Sequence, residues 1–111
     1  KKGGKSRYVL EAMDYIGQNY ADSNLSVGQI AAQLDLSEGH LSHLFKKETD
    51  YTIGNYLSTK RLLLAKDLIA EGAPITEVCY ACGFKNYSTF SRAYKKSFGE
   101  APRESLQNLK S

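Results

Sequence analysis

The sequence lacks the features that mark several large classes of protein. It has no stretch of about 18 apolar residues, the length that a transmembrane helix needs. No run alternates apolar and polar residues in the manner of a half-buried strand, and there are only two prolines. The 111 residues therefore favour an all-helical fold, as one domain or as two very small units that share helices.

Cysteine is also scarce. The two thiols, Cys79 and Cys82, lie close together in the chain, which is not the pattern of a secreted disulfide framework. The opening residues, 1–5, have no apolar segment behind them that would make a signal peptide. We therefore expect a cytoplasmic protein without membrane association, in which residues 1–5 are the remnant of a flexible linker within a longer protein.

Patterns of catalytic residues are missing as well. The serines have no histidine and aspartate at positions that would complete a nucleophilic triad, and no glycine-rich phosphate loop is present. We therefore expect a domain that is not an enzyme and that holds no cofactor.

The charge of the chain is modest. The net charge is +3 and the isoelectric point is near 8.8, while charged residues make up 24% and hydrophobic residues 41% of the sequence. This balance is typical of a folded globular domain. A mildly basic chain permits binding to nucleic acid but does not require it, so the placement of the charges matters more than their sum.

The chain does contain apolar residues at helical spacing, with capping residues between the helical segments. The spacing predicts a first helix over 6–20. Ser26 and Gln29 form a capping box for a short helix that ends near Leu34, and Ser37 caps the helix after it. The sequence therefore predicts a helix, a tight turn and a second helix.

Two core residues support a helix-turn-helix unit at this point. Ala31 falls where the two helices cross, a position that needs a small residue, and Leu41 falls where a side chain fills the core between them. This pair by itself is a weak signal.

The second half of the chain has the same kind of punctuation. A long apolar stripe predicts a helix over about 53–71, which Gly72 ends. Further helices are predicted over about 74–82 and from a cap at Asn86 to about 98, and Pro102 begins a final short helix.

An internal repeat makes the interpretation much more specific. One constant separation pairs Leu41 with Phe90, Ser42 with Ser91, Phe45 with Tyr94, and Lys46-Lys47 with Lys95-Lys96. Upstream, a separation shorter by one residue pairs Ile30 with Val78, Ala31 with Cys79, and Leu36 with Phe84. The chain thus holds two copies of one helix-turn-helix, joined by a long helix, and the second turn is one residue longer.

The repeat also bears on a possible zinc site. Cys79 and Cys82, with His40 and His43, offer four side chains of the type that zinc prefers. However, the repeat assigns Cys79 to the crossing position of Ala31, where a small buried residue belongs, and it assigns the histidines to the other copy. We therefore expect buried structural thiols and no metal.

These motifs resemble the AraC/XylS family of bacterial transcription regulators. The resemblance is strongest over Ile75–Phe84 (ITEVCYACGF), over Ser88–Lys96 (STFSRAYKK), and at Gly99 with Pro102. The first copy, Leu34 to Phe45 followed by Lys46-Lys47-Glu48, is similar to the family too, so the resemblance covers nearly the whole chain after Ser6.

The resemblance implies an all-α fold of about seven helices, with two helix-turn-helix subdomains joined by a long bridging helix. The implied boundaries are 6–52, 53–72 and 73–111 within a domain over 6–111. The implied function is sequence-specific binding of double-stranded DNA to regulate transcription, with one recognition helix from each unit in successive major grooves. The resemblance also implies a monomeric isolated domain, an activator in the bacterial nucleoid, and RNA polymerase as a partner of the full regulator.

The chain departs from the family pattern at two places. Asp35 stands where the family often has glycine in the first turn, and the segment from Gly99 to Pro102 is not followed by the tyrosine and arginine that are common there. These departures concern a turn and the contacts of the last helix.

The candidate DNA contacts lie on the predicted recognition helices, since the major groove is wide enough to admit a helix. The family pattern and the recurrence of lysines late in both copies together imply ten DNA contacts. They are Gly39, Ser42, His43, Lys46, Tyr87, Ser88, Thr89, Ser91, Arg92 and Lys95. The serines, Thr89 and Tyr87 suit bases or phosphates, and solvated side chains are the alternative. For the lysines the alternative is a role at the negative end of the helix.

Arg92 is the strongest single candidate. A guanidinium can donate to both O6 and N7 of guanine, an arrangement worth about 1–3 kcal/mol of discrimination. The alternative is a surface arginine paired with an acidic neighbour. His43, its counterpart in the first copy, suits guanine N7 or a phosphate, with a solvated histidine as the alternative.

Two other functions remain open at this stage. A helical module that binds a partner protein is one, although a polar recognition helix lacks the apolar anchors that protein grooves prefer. The output domain of a two-component response regulator is the other.

Overall fold

The computed structural model describes residues 6–110, and over these residues the chain forms seven α-helices and no strand. The predicted all-helical fold with about seven helices is therefore confirmed; the linker predicted over 1–5 lies outside the described residues. In chain order the helices are α1 (Arg7–Asn19), α2 (Val27–Gln33), α3 (Glu38–Thr49), α4 (Ile53–Ala70), α5 (Ile75–Ala81), α6 (Tyr87–Phe98) and α7 (Pro102–Lys110).

Side-chain caps explain where five of the helices begin. The side chains of Ser6, Ser26 and Ser37 accept hydrogen bonds from the backbone N–H three residues later, at 3.3, 3.2 and 3.1 Å. Asn86 does the same before α6, at 2.8 Å. Before α4, the side chain of Thr52 accepts from the backbone N–H three residues later at 3.0 Å. Each cap pairs a backbone N–H that has no partner inside the helix, so the helix starts are determined locally.

The described chain divides into two compact units. The first comprises residues 6–20 and 24–57, and the second comprises residues 21–23 and 58–110. The division falls inside α4, so this helix supplies its first turn and a half to one unit and the remainder to the other. Within the second unit, Arg61 of α4 donates a hydrogen bond of 2.9 Å to the backbone carbonyl of Asp22, which attaches the segment 21–23 to it.

Each unit has its own apolar core. In the first unit α1, α2, α3 and the start of α4 bury Val9, Ala12, Ile16, Leu25, Ile30, Ala31, Leu41, Phe45, Ile53 and Leu57. In the second unit α4, α5 and α6 bury Leu62, Ala65, Ile69, Ile75, Val78, Cys79, Cys82, Phe84, Phe90 and Tyr94. Both cores include the position predicted to hold a small residue, Ala31 in the first unit and Cys79 in the second.

The two turns between the paired helices are built alike. In the first turn Asp35 has a φ of +58°, and the N–H of Leu36 donates to the carbonyl of Ala31 at 3.0 Å. In the second turn Gly83 has a φ of +103°, and the N–H of Phe84 donates to the carbonyl of Cys79 at 3.1 Å. Each turn needs a residue in the left-handed backbone conformation at this point. Glycine adopts that conformation most easily, and aspartate adopts it more easily than most other residues.

The ends of α3 and α6 match as well. Asp50 and Gly99 both adopt left-handed conformations, with φ of +67° and +81°. Their N–H groups donate to the backbone carbonyls of Lys46 and Lys95, at 2.9 and 2.8 Å. The repeat read from the sequence is thus a repeat of backbone hydrogen bonds, not only of residue types.

Candidate nucleic-acid interface

In the first unit, α3 presents a polar face to solvent. Leu41 and Phe45 are fully buried and hold the opposite face of α3 in the core. The helical period of 3.6 residues then places Gly39, Ser42, His43 and Lys46 outside, and all four are exposed. Every residue predicted as a DNA contact in this unit is accessible to a ligand.

Two charged residues of α3 make contacts within their own unit. The Glu38 carboxylate lies against Gly28 at the start of α2, where a Cβ on Gly28 would come within 2.7 Å of its oxygen. The positive end of a helix dipole favours a carboxylate at such a place. Lys46 donates from Nζ to the backbone carbonyl of Asp50 at 3.0 Å, so in the free domain it supports the end of α3.

In the second unit, α6 is anchored by a row of aromatic rings. Tyr87, Phe90, Tyr94 and Phe98 lie at successive turns, with neighbouring centroids 5.8, 5.8 and 4.7 Å apart and the rings tilted edge to face. Phe90 and Tyr94 are fully buried. This row determines which side of α6 faces the core.

The opposite side of α6 carries most of the predicted contacts. Ser88, Thr89, Arg92 and Lys95 are exposed, whereas Ser91 lies at the edge and is half-buried. Tyr87 is half-buried too, because its ring packs on Phe90, so it is not a freely exposed tyrosine.

Arg92 has a side-chain partner on its own helix. Its Nη1 donates to the Oγ of Ser88 at 2.7 Å, one helical turn towards the N-terminus. No ion pair joins Arg92 to an acidic side chain within the described residues. Its charge is therefore not neutralised by a neighbour, in contrast to that of Arg7, which pairs with Glu11 at 3.1 Å.

Arg103 is a further basic residue at this surface and is not among the contacts predicted from the sequence. It belongs to α7, and its guanidinium lies 5.6 Å from the centre of the Tyr87 ring, within the range of a cation–π contact. The contact places a positive charge beside the first residue of α6. The contact depends on how α7 packs against α6, so no local sequence motif predicts it.

The two cysteines are structural. Cys79 and Cys82 are both fully buried, and the Cys82 thiol donates to the Cys79 carbonyl at 3.6 Å. Burial raises the pKa of Cys79. The pKa of Cys82 is raised to about 12, mainly by burial and also by the neighbouring Cys79, while the positive charge of Arg61 offsets part of the rise. Both thiols are therefore protonated at neutral pH.

Residues 6–110 contain neither a metal-binding cluster nor a membrane-spanning helix. No three histidine, cysteine or acidic side chains come together in a way that would hold a metal ion. None of the helices combines the length and the apolar character that crossing a bilayer requires.

Comparisons with known proteins agree with this arrangement. A family described as "Helix-turn-helix domain" matches residues 20–108. The arabinose operon regulatory protein of Escherichia coli is 35% identical over 97 residues, which is 86% of this chain and 33% of that protein. The probable transcriptional regulator LumQ of Photobacterium leiognathi is 36% identical over 97 residues, which is 86% of this chain and 39% of that protein.

Solved structures show the same fold. The C-terminal domain of AraT, a response regulator from Geobacillus stearothermophilus, has a TM-score of 0.90 at 27% identity, covering 96% of this chain and 88% of that one. The C-terminal domain of the two-component response regulator yesN from Fusobacterium nucleatum has a TM-score of 0.85 at 28% identity, covering 91% and 99%.

The chain spans between about a third and two fifths of the length of the curated relatives named above. The matched region includes both helix-turn-helix copies and α4 between them. The chain therefore belongs to the AraC-type helix-turn-helix domains, which bind DNA sequence-specifically in transcription regulators and are not enzymes.

Proposed function

We propose that this domain binds double-stranded DNA as a monomer, with α3 and α6 as its two recognition helices in successive major grooves. The observation that carries the proposal is the repeat. In both units the second helix is capped, buries two core residues at corresponding positions and leaves a polar side open to solvent. Two recognition helices in one chain supply what a dimer of single helix-turn-helix units usually supplies.

The reading residues follow from which positions are exposed. In the first unit we assign base contacts to Gly39, Ser42 and His43, and in the second to Thr89 and Arg92. Arg92 is the main base reader, because a guanidinium without an acidic partner can donate to both acceptors of a guanine.

The flanks of the two helices suit the DNA backbone. We assign phosphate contacts to Lys46 and Lys95 near the helix ends, and Tyr87 and Ser91 to the edge of the second reading face. Arg103 extends this basic edge, because it is held on the Tyr87 ring beside the start of α6. Contacts of this kind position the protein on the duplex without reading its sequence.

Selection of bound sequences from a random DNA pool, followed by footprinting at equal molar amounts, tests the proposal. We expect one site with two protected major grooves on the same face of the duplex, about 34 Å apart. Protection of a single groove would contradict it, and so would a complex with two domains for each site.

Salt dependence separates DNA binding from binding to a partner protein. The logarithm of the affinity for DNA should fall linearly with the logarithm of the salt concentration, with a slope near −0.9 for each phosphate contact. A helical module for a protein partner would bind neither the selected nor the random DNA.

We further propose that a longer regulator containing this domain activates transcription through RNA polymerase, and that it works at the nucleoid in the bacterial cytoplasm. The names of the relatives support the part of this proposal that concerns transcription regulation, since one is an operon regulatory protein and the other a probable transcriptional regulator. In vitro transcription from a promoter that carries the selected site tests the proposal. A fall in transcript when the regulator is added would show repression instead.

A further inference from the structure

We propose that Ser88 is a positioning residue that holds the Arg92 guanidinium at the N-terminal end of α6, ready to read a base. This inference rests on the proposed role of Arg92 as a base reader. Ser88 then acts through Arg92, in place of the direct contact with base or phosphate that is expected from the sequence.

The Arg92 guanidinium has to reach the N-terminal turn of α6. Arg92 is in the second turn of α6, while the part of a recognition helix that contacts base edges is its N-terminal turn. Side chains on a helix lean towards its N-terminus, and the bond from Arg92 Nη1 to Ser88 Oγ, 2.7 Å long, holds the guanidinium over the first turn. The bond thus brings the charge to the end of the helix that enters deepest.

The bond to Ser88 also limits the movement of the Arg92 side chain. A long arginine side chain on an exposed helix face populates many rotamers, and binding a base in a fixed geometry removes that freedom. Both Ser88 and Arg92 are exposed, and no acidic side chain competes for this guanidinium among the described residues. A bond already made in the free domain means that part of the ordering is complete before DNA arrives.

The Arg92 guanidinium keeps free donors when it is bonded to Ser88. The bond to Ser88 uses one N–H of the guanidinium, which carries several more. Enough donors are therefore left for the two bonds to O6 and N7 of a guanine. Holding the side chain and reading a base are compatible in one geometry.

The first unit has no counterpart of this device. By the repeat, Gly39 occupies the position of Ser88 and His43 that of Arg92, so the first unit has no side chain that could hold its reader. We therefore expect the second unit to make the sharper discrimination between bases.

The experiment compares Ser88→Ala, Ser88→Thr, Arg92→Ala and the double variant Ser88→Ala/Arg92→Ala. Affinity is measured on the selected site and on sites altered at one base pair at a time. Ser97→Ala removes an exposed hydroxyl from α6 outside the proposed reading face and serves as the matched control. Circular dichroism checks that each variant is folded.

We expect Arg92→Ala to reduce discrimination at one base pair by roughly five- to 150-fold. Ser88→Ala should reduce discrimination at that same base pair by about three- to tenfold, the worth of one hydrogen bond. Ser88→Thr should restore it because the hydroxyl is kept. In the double variant the loss of Ser88 should add nothing to the loss of Arg92.

Relaxation of the Arg92 Nε–H signal by NMR, in the domain without DNA, tests the bond independently. We expect a restricted side chain in the wild type and in Ser88→Thr, and a mobile one in Ser88→Ala. If the side chain were equally mobile in all three, the proposal would be overturned whatever the result with DNA.

The DNA-binding results distinguish the proposed role of Ser88 from that of Arg92. If Arg92→Ala loses discrimination while Ser88→Ala does not, the role of Ser88 is wrong and that of Arg92 stands. The same holds if Ser88→Ala acts at a different base pair and additively, since Ser88 would then contact a base itself. If Arg92→Ala leaves discrimination intact at every position, both the base-reading role of Arg92 and its positioning by Ser88 are wrong.

Discussion

Replacing Gly39 by alanine should stabilise the domain while disturbing its contact with DNA. Gly39 is the second residue of α3 and is exposed. A Cβ built on it would meet no atom within 4 Å, and its φ lies outside the positive range, so alanine fits without strain. Stability by itself therefore gives no reason for glycine at this position.

The size of the gain follows from helix propensity. Glycine inside a helix is about 0.8–1.0 kcal/mol less favourable than alanine, because the unfolded chain has more conformations to lose. Gly39 is in the first turn, where the helix is less constrained, so we expect about 0.5 kcal/mol. For a domain near this size that corresponds to a rise in Tm of about 2–4 °C.

Thermal and urea unfolding followed by circular dichroism measure this gain, with Gly17→Ala as the matched control. Gly17 lies in α1, is exposed, and also has open space where a Cβ would be. Both variants should raise the urea midpoint without changing the slope. A lower midpoint for Gly39→Ala would refute the reasoning, because it would mean that the Cβ position is not open.

DNA binding then distinguishes the two glycines. Gly39 lies on the proposed reading face, so an added methyl group there should weaken binding to the selected site. Gly17 is on α1, outside that face, and Gly17→Ala should bind as the wild type does. If Gly39→Ala were more stable and bound the selected site with unchanged affinity, Gly39 would not lie against the DNA.

Four further predictions test other parts of the molecule. Arg92→Ala should cost about 1–3 kcal/mol of binding free energy on the selected site and little on scrambled DNA. Lys95→Ala should weaken binding to both DNAs and lower the salt slope by about one unit, and fluorescence anisotropy at several salt concentrations measures the two variants. Arg103→Ala should also lower the slope by about one unit, and Arg103→Lys should restore it; an unchanged slope in the same assay would remove Arg103 from the interface. Gly83→Ala should destabilise the domain by about 1–2 kcal/mol in urea, because Gly83 is buried with a φ of +103°. Burial raises the pKa of Cys82 from 9.0 to about 12, so the stability that the protonated thiol contributes should be complete below pH 9 and decline between these two values. Alkylation of Cys82 at pH 8 should therefore require unfolding, and rapid alkylation of the folded domain would contradict this.

Much of the fold was predictable because its signals are local. The cap residues Ser26, Ser37 and Asn86 begin helices where the sequence predicts them, since a cap bonds to an N–H only three residues away. The burial of Ala31 and Leu41 follows from helical period and residue size. The internal repeat and the family resemblance then identified the second unit by analogy with the first.

The choice of exposed residues on α3 and α6 was also within reach of the sequence. The buried residues of a helix determine its outer face through the period of 3.6, so Arg92 and Lys95 had to lie outside once Phe90 and Tyr94 lay inside. Which of the exposed residues contact bases stays a prediction, because that depends on the DNA.

Tertiary packing decided the partners of individual side chains. Arg103 lies over the Tyr87 ring because α7 packs beside the start of α6, and Glu38 lies against Gly28 because α3 begins beside α2. The segment 21–23 belongs with the second unit because Arg61 bonds to the carbonyl of Asp22. The sequence by itself determined the helices, their caps and their buried sides, since those depend on neighbours a few residues away; contacts between separate elements depend on how whole helices pack, and only the folded chain defines that.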